Sequence, residues 1–204
     1  MVVDWAVAER NARSMLDRAE ALGCKLRPHV KTHKTVELAL LQTGGVRRGI
    51  TVSTLAEAQF FASNGFDDIL FALPLTPDKL PEVYELTSKL DQFIVAVDHP
   101  VQLAALEASA PPEGKKWKVV ALVDSGYHRE GLDPSDPATC ELLSSLAASP
   151  RMEFIGLYTH AGHSYDCDTP ENVRAVAAQE RDAVVGLAEK LRSQGVQVRE
   201  VGVG

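Results

Sequence analysis

The sequence predicts an α/β protein built around a parallel β-sheet, either a doubly wound sheet or a (β/α)8 TIM-type barrel. Short runs rich in β-branched residues alternate along the chain with amphipathic helical segments. Several of the predicted strands are almost continuously apolar, which is typical of strands that helices cover on both faces. Polar residues follow strands that are far apart in the sequence, as expected at the mouth of a barrel, where the carboxyl ends of all strands meet.

Seven strands are predicted. In chain order they are Lys25–Lys31, Gly49–Ser53, Asp68–Leu73, Gln92–Val97, Trp117–Asp124, Glu153–His160 and Val196–Val203. The seventh strand reaches the last residues of the chain, although a closed barrel needs an eighth. A seven-stranded sheet would leave two edges unpaired, which favours association between chains. We therefore expect one domain, residues 1–204, formed by a barrel that is truncated near the end of strand 7.

Capping residues, prolines and glycines predict where the helices between the strands begin and end. Helix starts are indicated by side chains that accept hydrogen bonds from the first turn, most of them beside a proline: Thr54 with Glu57, Asp98, Asp136 and Thr169. Helix ends are indicated by glycines that tolerate a left-handed backbone: Gly44, Gly65 and Gly195. The helix after the third strand is expected to begin only at Pro81, because proline is not tolerated inside a helix.

The composition argues against several functional classes. Of the 204 residues, 45% are hydrophobic and 24% are charged, close to the averages for globular domains. No apolar run approaches the roughly 18 residues of a membrane span, and the N-terminus lacks the apolar core of a secretory signal. The net charge of −7 disfavours nucleic acid and anionic membranes as partners. Three cysteines do not form a disulfide framework, so we expect a cytoplasmic protein.

The densest group of chemically active residues is the segment Arg27–Lys34, with the sequence RPHVKTHK. Side chains alternate along a strand, so His29 and Lys31 share one face. A lysine that points into a partly enclosed barrel loses solvation, its pKa falls, and the neutral amine can attack a carbonyl group. Two alternatives remain open: Lys31 ends a strand in water, or the segment is a basic patch.

The segment Gly156–Tyr165 places Tyr158 and His160 on one face of another strand. An imidazole and a phenol at this position can stack on a planar ligand or form hydrogen bonds with it. A structural role is the alternative. A metal site formed by His160, His163 and Cys167 matches no common zinc spacing.

Arg129 follows a further buried strand, in a loop where it can bind an anionic oxygen. An exposed loop arginine without a role is equally common. Gly202 and Gly204 can offer backbone N–H groups to a phosphate, although a single G-x-G is a weak signal.

Three segments together resemble one enzyme family: Arg27–Lys34, Thr51–Ala58 and Gly65–Leu70. They are similar to the eukaryotic-type D-serine dehydratases and the related D-threonine aldolases, which are alanine racemase-like pyridoxal-phosphate enzymes of fold type III. The similarity continues in order over nearly the whole chain, through Asp78–Glu82, Gly114–Trp117, Asp124–Arg129, Tyr158–Tyr165 and Val201–Gly204.

The resemblance implies roles for five residues toward pyridoxal 5′-phosphate. Lys31 forms the Schiff base with the cofactor and is the catalytic residue. His160 lies against the pyridine ring, and Arg129 contacts the phenolic oxygen. Tyr158 and Tyr165 are further expected cofactor contacts.

The resemblance also implies a fold and a reaction. Members have an alanine racemase-like N-terminal barrel followed by a β-rich domain, which we expect to be absent here together with the phosphate-binding turn. Zinc is expected only in the full-length enzyme, on a histidine and a cysteine of that domain, so no metal ligand is assigned in this sequence. The expected activity is dehydration of D-serine to pyruvate and ammonia by a full-length homodimer that takes small D-amino acids as substrates. The alternatives are aldol cleavage of D-threonine-like substrates and a non-catalytic pyridoxal-phosphate-binding protein.

Overall fold

A computed structural model describes residues 2–204 and confirms the α/β class. Its strands are β1 Ile50–Val52, β2 Asp68–Pro74, β3 Gln92–Val97, β4 Trp117–Val123, β5 Met152–Thr159 and β6 Glu200–Gly202. Its helices are α1 Trp5–Ala21, α2 Val36–Gln42, α3 Leu55–Ser63, α4 Leu80–Lys89, α5 Pro100–Ala108, α6 Pro137–Ala148 and α7 Pro170–Ser193. Two short 3₁₀ segments, Pro77–Lys79 and Gly162–Asp166, complete the list of helical elements.

The strand order separates the two architectures that the sequence left open. The sheet has six strands in the sequential order β1-β2-β3-β4-β5-β6. Strand β1 pairs with β2 in parallel, and β5 pairs in parallel with both β4 and β6. A doubly wound sheet reverses its order at a switch point, whereas strands that follow one another in sequence are typical of a (β/α) barrel.

The first predicted strand, Lys25–Lys31, is wrong as a strand. The structure has only a parallel bridge between His29 and Thr51, in which Val30 N–H donates to Thr51 and Thr51 N–H donates to the Pro28 carbonyl. The ladder stays short because Pro28 has no N–H to donate and the chain turns directly after Val30. The segment Val196–Val203 is likewise reduced to the three residues of β6.

The chain divides into two compact units, each with its own core. The first contains the residues up to Leu73 together with Pro81–Ile94, and the second contains Pro74–Leu80 with Val95–Gly204. In the first unit, Phe61 and Phe66 are fully buried and meet edge to face at 5.3 Å. In the second unit, Trp117 is 1% exposed, and its indole N–H donates to the Ser109 carbonyl at 3.0 Å. Burial of the indole therefore leaves no unpaired polar group.

Most of the predicted helix boundaries are confirmed. Thr54, Asp136 and Thr169 each accept a hydrogen bond from the first turn of a helix, and Gly44, Gly65 and Gly195 have positive φ. Helix α4 begins at Leu80, one residue before Pro81. Asp98 is not an N-cap, because His99 caps α5 and the Asp98 carboxylate accepts hydrogen bonds from Gln102 and Gly131 instead.

Helix α1 is the least buried of the helices in the described part of the chain. None of its 17 residues is buried, although its Asp4 cap is in place. A cavity of about 490 Å³ lies between α1, α2 and the 26–33 segment. No helix within residues 2–204 is both long enough and apolar enough to cross a membrane.

Candidate functional site

The first group of functional side chains, called here the lysine cluster, consists of His29, Lys31, Lys34, Ser53 and Glu57. All of them belong to the first unit. Val30 is fully buried, so its two neighbours, His29 and Lys31, lie on the opposite side of the backbone from the core. The Lys31 side chain is exposed, which differs from the desolvated amine expected in an enclosed barrel. Within residues 2–204, no hydrogen bond or ion pair involves its ammonium group.

Lys34 is in a different situation from Lys31. Its Nζ lies 3.0 Å from Glu57 Oε1, and the Glu57 side chain is only 7% exposed. Burial of Glu57 opposes its ionisation, but hydrogen bonds from the Ser53 N–H and from Lys34 lower the pKa of this carboxyl group overall. Glu57 is therefore an ionised, buried carboxylate, and Lys34 is its counterion.

His29 connects this carboxylate region to Lys31. Its Nδ1 accepts a hydrogen bond from the Lys31 backbone N–H at 3.3 Å, and its Nε2 lies 3.2 Å from Ser53 Oγ. Because Nδ1 accepts, the proton of the neutral ring is on Nε2, which donates to Ser53. The orientation of the ring is thus fixed from both sides.

The second group, called the aromatic cluster, consists of Tyr127, Arg129, Tyr158, His160 and Tyr165, all in the second unit. His160 follows β5 directly, and its Nδ1 lies 2.5 Å from the backbone oxygen of Gly204. That oxygen can only accept, so Nδ1 carries a proton. The Nε2 atom lies 3.3 Å from the Tyr165 hydroxyl. The orientation of the His160 ring is thus set by contacts at both of its nitrogen atoms.

Tyr127 contacts two other members of the aromatic cluster, His160 and Arg129. Its ring meets His160 edge to face at 6.2 Å, and the Arg129 guanidinium lies 5.3 Å from its centre. The Tyr127 ring also packs against the backbone at Gly162. A glycine is required there, since a Cβ would lie 2.3 Å from the ring. Arg129 also pairs with Glu130, and this hydrogen bond raises the pKa of Arg129.

Tyr158 is a half-buried phenol of the aromatic cluster. It is paired with Gly202 of β6, whose missing side chain leaves space for its ring. Burial raises the pKa of Tyr158, and the nearby carboxylates of Glu130 and Glu180 raise it further. Tyr158 is therefore a neutral phenol at physiological pH.

The predicted site residues thus fall into two sets. Four of them, Arg129, Tyr158, His160 and Tyr165, belong to the aromatic cluster, and Lys31 belongs to the lysine cluster. Gly204 N–H, considered above as a phosphate donor, instead donates to Glu180 Oε1 at 3.1 Å.

Sequence reasoning missed three carboxylates that organise these clusters. Glu57 was recognised only as part of a capping box. Asp124 accepts hydrogen bonds from Gly126 N–H, His128 N–H and the His128 ring, and so shapes the loop that carries Arg129. Glu180, 8% exposed, accepts from the N–H groups of Ala161 and Gly204.

A signal for Glu180 was present in the sequence. It stands on the same helical stripe as Val184, Leu187 and Leu191, all buried in α7. An acidic residue on the apolar stripe of a helix indicates a buried carboxylate that needs donors.

The metal alternative for His160, His163 and Cys167 gains no support. Both ring nitrogens of His160 are occupied by the contacts above, and Cys167 Sγ lies against the His163 carbonyl. Among residues 2–204, no group of three histidine, cysteine or acidic side chains is arranged to hold a metal ion.

Comparison with known proteins identifies relatives over the whole described chain. Residues 3–204 match the family "Alanine racemase, N-terminal domain". The D-serine dehydratase of Dictyostelium discoideum is 38% identical, with 100% of this chain and 54% of that protein covered. The D-threo-3-hydroxyaspartate dehydratase structure from Delftia sp. HT23 is 36% identical and has a TM-score of 0.90, with coverage of 99% and 53%.

A D-threonine aldolase structure from Filomicrobium marinum is more distant in sequence, at 27% identity, with a TM-score of 0.87 and coverage of 100% and 55%. The chain spans about half the length of the relatives that it matches. The match over residues 3–204, the sequential parallel sheet and the similarity to these structures establish that the chain belongs to the alanine racemase N-terminal domain family.

Proposed function

We propose that this protein is a pyridoxal-phosphate-dependent lyase that acts on a D-amino acid and dehydrates D-serine to pyruvate and ammonia. The observation that carries the proposal is the contrast between two lysines of one motif. Lys34 is the counterion of a buried carboxylate, whereas the Lys31 amine is exposed and carries no ion pair among the described residues. Lys31 is therefore the amine that is available to a carbonyl group.

In this proposal pyridoxal 5′-phosphate is held by the residues that the resemblance implies, and each unit is described by the groups it offers. The first unit offers the Lys31 amine for the aldehyde, and the second unit offers the Arg129 guanidinium for the phenolic oxygen. His160, Tyr158 and Tyr165 supply an imidazole and two phenols for contacts with the ring and its substituents. When bound, the cofactor supplies an electron sink for the charge that remains at Cα after proton removal.

The remaining steps belong to the residues of the chain. Lys31 Nζ would hold the cofactor through its aldehyde carbon, and the same amine, once free, would accept the proton from the substrate Cα. His160 presents a ring whose orientation is set by the contact of its Nδ1 with the Gly204 backbone oxygen. Loss of the Cα proton and the β-hydroxyl group, followed by hydrolysis, gives pyruvate and ammonia.

Sequence identity supports dehydration over aldol cleavage. Four dehydratases are 35–38% identical to the chain, whereas three aldolases are 30–31% identical. The dehydratases differ in substrate, since one acts on D-threo-3-hydroxyaspartate by name. The proposal assigns no zinc ligand among residues 2–204.

Cofactor attachment is tested by incubating the protein with pyridoxal phosphate, reducing with borohydride and mapping the modified peptide. We expect the pyridoxyl group on Lys31, and its loss in Lys31→Ala. Lys25→Ala removes an exposed lysine outside the cluster and serves as the control with unchanged labelling. A pyridoxyl group on Lys34 in place of Lys31 would contradict the assignment.

The reaction is tested by product analysis with D-serine and D-threonine, with and without zinc. Pyruvate from D-serine supports dehydration, and glycine from D-threonine supports the aldolase alternative. Cofactor binding without turnover of either substrate supports the non-catalytic alternative.

A further inference from the structure

Glu57 makes more contacts than helix capping requires. The cap of α3 is the Thr54 hydroxyl, which accepts from the Glu57 backbone N–H at 3.1 Å. The Glu57 carboxylate is separate from that bond: Oε2 accepts from the Ser53 N–H at 2.8 Å, and Oε1 pairs with Lys34 at 3.0 Å. Burial of a carboxylate costs free energy unless the carboxylate is paired, and these two contacts supply the pairing. Capping of α3 by Thr54 does not explain why a charged side chain is buried at this position.

The two contacts reach opposite ends of the turn that carries Lys31. At one end, Ser53 Oγ binds His29, and His29 binds the Lys31 backbone N–H. At the other end, Lys34 pairs with Glu57, and its own N–H closes the turn on the Val30 carbonyl at 2.9 Å. The contacts form a closed ring, Glu57 to Ser53 to His29 to Lys31, and back through Lys34.

The backbone of this turn needs such support. Lys34 has a φ of 54°, in the left-handed region that a side chain other than glycine rarely adopts. This conformation costs of order 1 kcal/mol and persists only where surrounding contacts impose it. The ion pair with Glu57 is the contact that engages the Lys34 side chain.

We infer that Glu57 is a positioning residue, which fixes both ends of the 29–34 turn and thereby the backbone of Lys31, while it leaves the Lys31 amine free. A lysine that must bind a cofactor cannot have its amine tied up, so its placement has to come from the backbone. This role rests on the proposed function, in which Lys31 Nζ is the reacting atom.

The first measurement needs no cofactor. Amide hydrogen exchange at Lys31 is compared with exchange at Ile69, a β2 amide in the core of the same unit. In Glu57→Ala we expect Lys31 to exchange roughly fivefold faster relative to Ile69, the effect of one lost hydrogen bond. Glu57→Gln keeps an acceptor for Ser53 and should give about a twofold increase.

Two further variants make the test specific. Ser53→Ala keeps the N–H bonded to Glu57 and removes only the hydroxyl that binds His29. We expect it to speed Lys31 exchange and to shift His29 from a single Nε2–H tautomer to a mixture, observed by ¹⁵N NMR. Glu85→Gln breaks an exposed ion pair with Lys89 and is the matched control, with no change expected.

The second measurement is the rate at which pyridoxal phosphate labels Lys31 under borohydride trapping. We expect slower labelling in Glu57→Ala and Ser53→Ala, with partial recovery in Glu57→Gln. Unchanged Lys31 exchange in folded Glu57→Ala overturns the inference, and if that variant does not fold, unchanged exchange in Ser53→Ala overturns it. Absence of Lys31 labelling in the wild type overturns the proposed function instead, whatever the exchange data show.

Discussion

His160 shows how a single side chain is prepared for a ligand by its neighbours. The Gly204 backbone oxygen accepts a hydrogen bond from Nδ1, and the Tyr165 hydroxyl lies within hydrogen-bond distance of Nε2. Tyr165 itself is 71% exposed, so it constrains the ring without burying it. A ring held in this way contributes to ligand binding with little loss of side-chain entropy.

The first residue-scale prediction follows from this arrangement. His160→Ala should weaken pyridoxal phosphate binding by about 1 kcal/mol, roughly fivefold in Kd, since it removes a ring contact. Tyr165→Phe, which keeps the aromatic ring and removes the hydrogen bond to Nε2, should have a smaller effect. Cofactor titration followed by visible absorption measures both. If the alanine variant keeps the wild-type affinity and spectrum, His160 has a structural role only.

The sequence indicates a candidate residue where a motif contains it, but it does not reveal contacts that depend on burial. Lys31 and His160 stand in segments that resemble a known family, and their roles remain predictions. Glu57 also stands in such a segment, Thr51–Ala58, but a capping box is enough to explain a glutamate there, so the sequence does not indicate its second task. Its contacts depend on Ser53 and Lys34 meeting it in space, which spacing along the chain does not reveal.

At the scale of elements, β5 and β6 approach each other most closely at Gly156. Ile155 is an extra residue in β5, because Val119 pairs with Phe154 while Val120 pairs with Gly156. A Cβ on Gly156 would lie 1.8 Å from the Glu200 carbonyl oxygen. The bulge and the glycine together allow β6 to pair with β5.

A matched pair of glycine variants tests this close approach. Gly156→Ala should lower the free energy of unfolding by about 1–3 kcal/mol, as overpacking does. Gly186→Ala, in α7 with no atom within 4 Å of the added methyl group, should raise it by about 0.5–1 kcal/mol. Urea unfolding with an unchanged m-value measures both changes. Equal effects of the two substitutions would contradict the packing at β6.

Element types were predictable from apolar runs and caps, and the errors have local causes. The strands β2, β3 and β4 lie within one residue of their predicted bounds because most of their side chains are buried. The segment before β1 fails as a strand because Pro28 and the turn after Val30 leave one bridge. β6 is short because its exposed residues gain little from pairing.

At the scale of the whole molecule, buried carboxylates link stability to pH. Burial of Asp124 opposes its ionisation, but the hydrogen bonds from Gly126 and His128 lower its pKa overall. Between the lowered pKa of folded Asp124 and the pKa of the unfolded chain, the folded protein therefore binds fewer protons than the unfolded chain. The resulting stabilisation is fully present above the unfolded pKa of about 3.9 and is lost as the pH falls through the lower folded value.

The prediction concerns the difference between wild type and Asp124→Asn. At pH 7 the variant should be less stable by about 1–2 kcal/mol, because neutral amide acceptors bind N–H groups more weakly than a carboxylate. The difference should shrink as the pH falls below about 4, because the unfolded wild-type chain then binds a proton that folded Asp124, with its lowered pKa, does not yet bind. Urea midpoints at several pH values check this, and a constant difference down to pH 3 would contradict it.

The exposure of α1 has a spectroscopic consequence, because the chain contains two tryptophans and they lie in different regions. Trp5, at the start of α1, is 49% exposed, whereas Trp117 in β4 is 1% exposed. The emission of Trp5 is accessible to aqueous quenchers and lies at longer wavelength, while that of Trp117 is shielded and lies at shorter wavelength. In the unlabelled protein, a change in the environment of α1 therefore alters the fluorescence of Trp5. Unfolding of the core of the second unit alters the fluorescence of Trp117, so the two events can be followed separately.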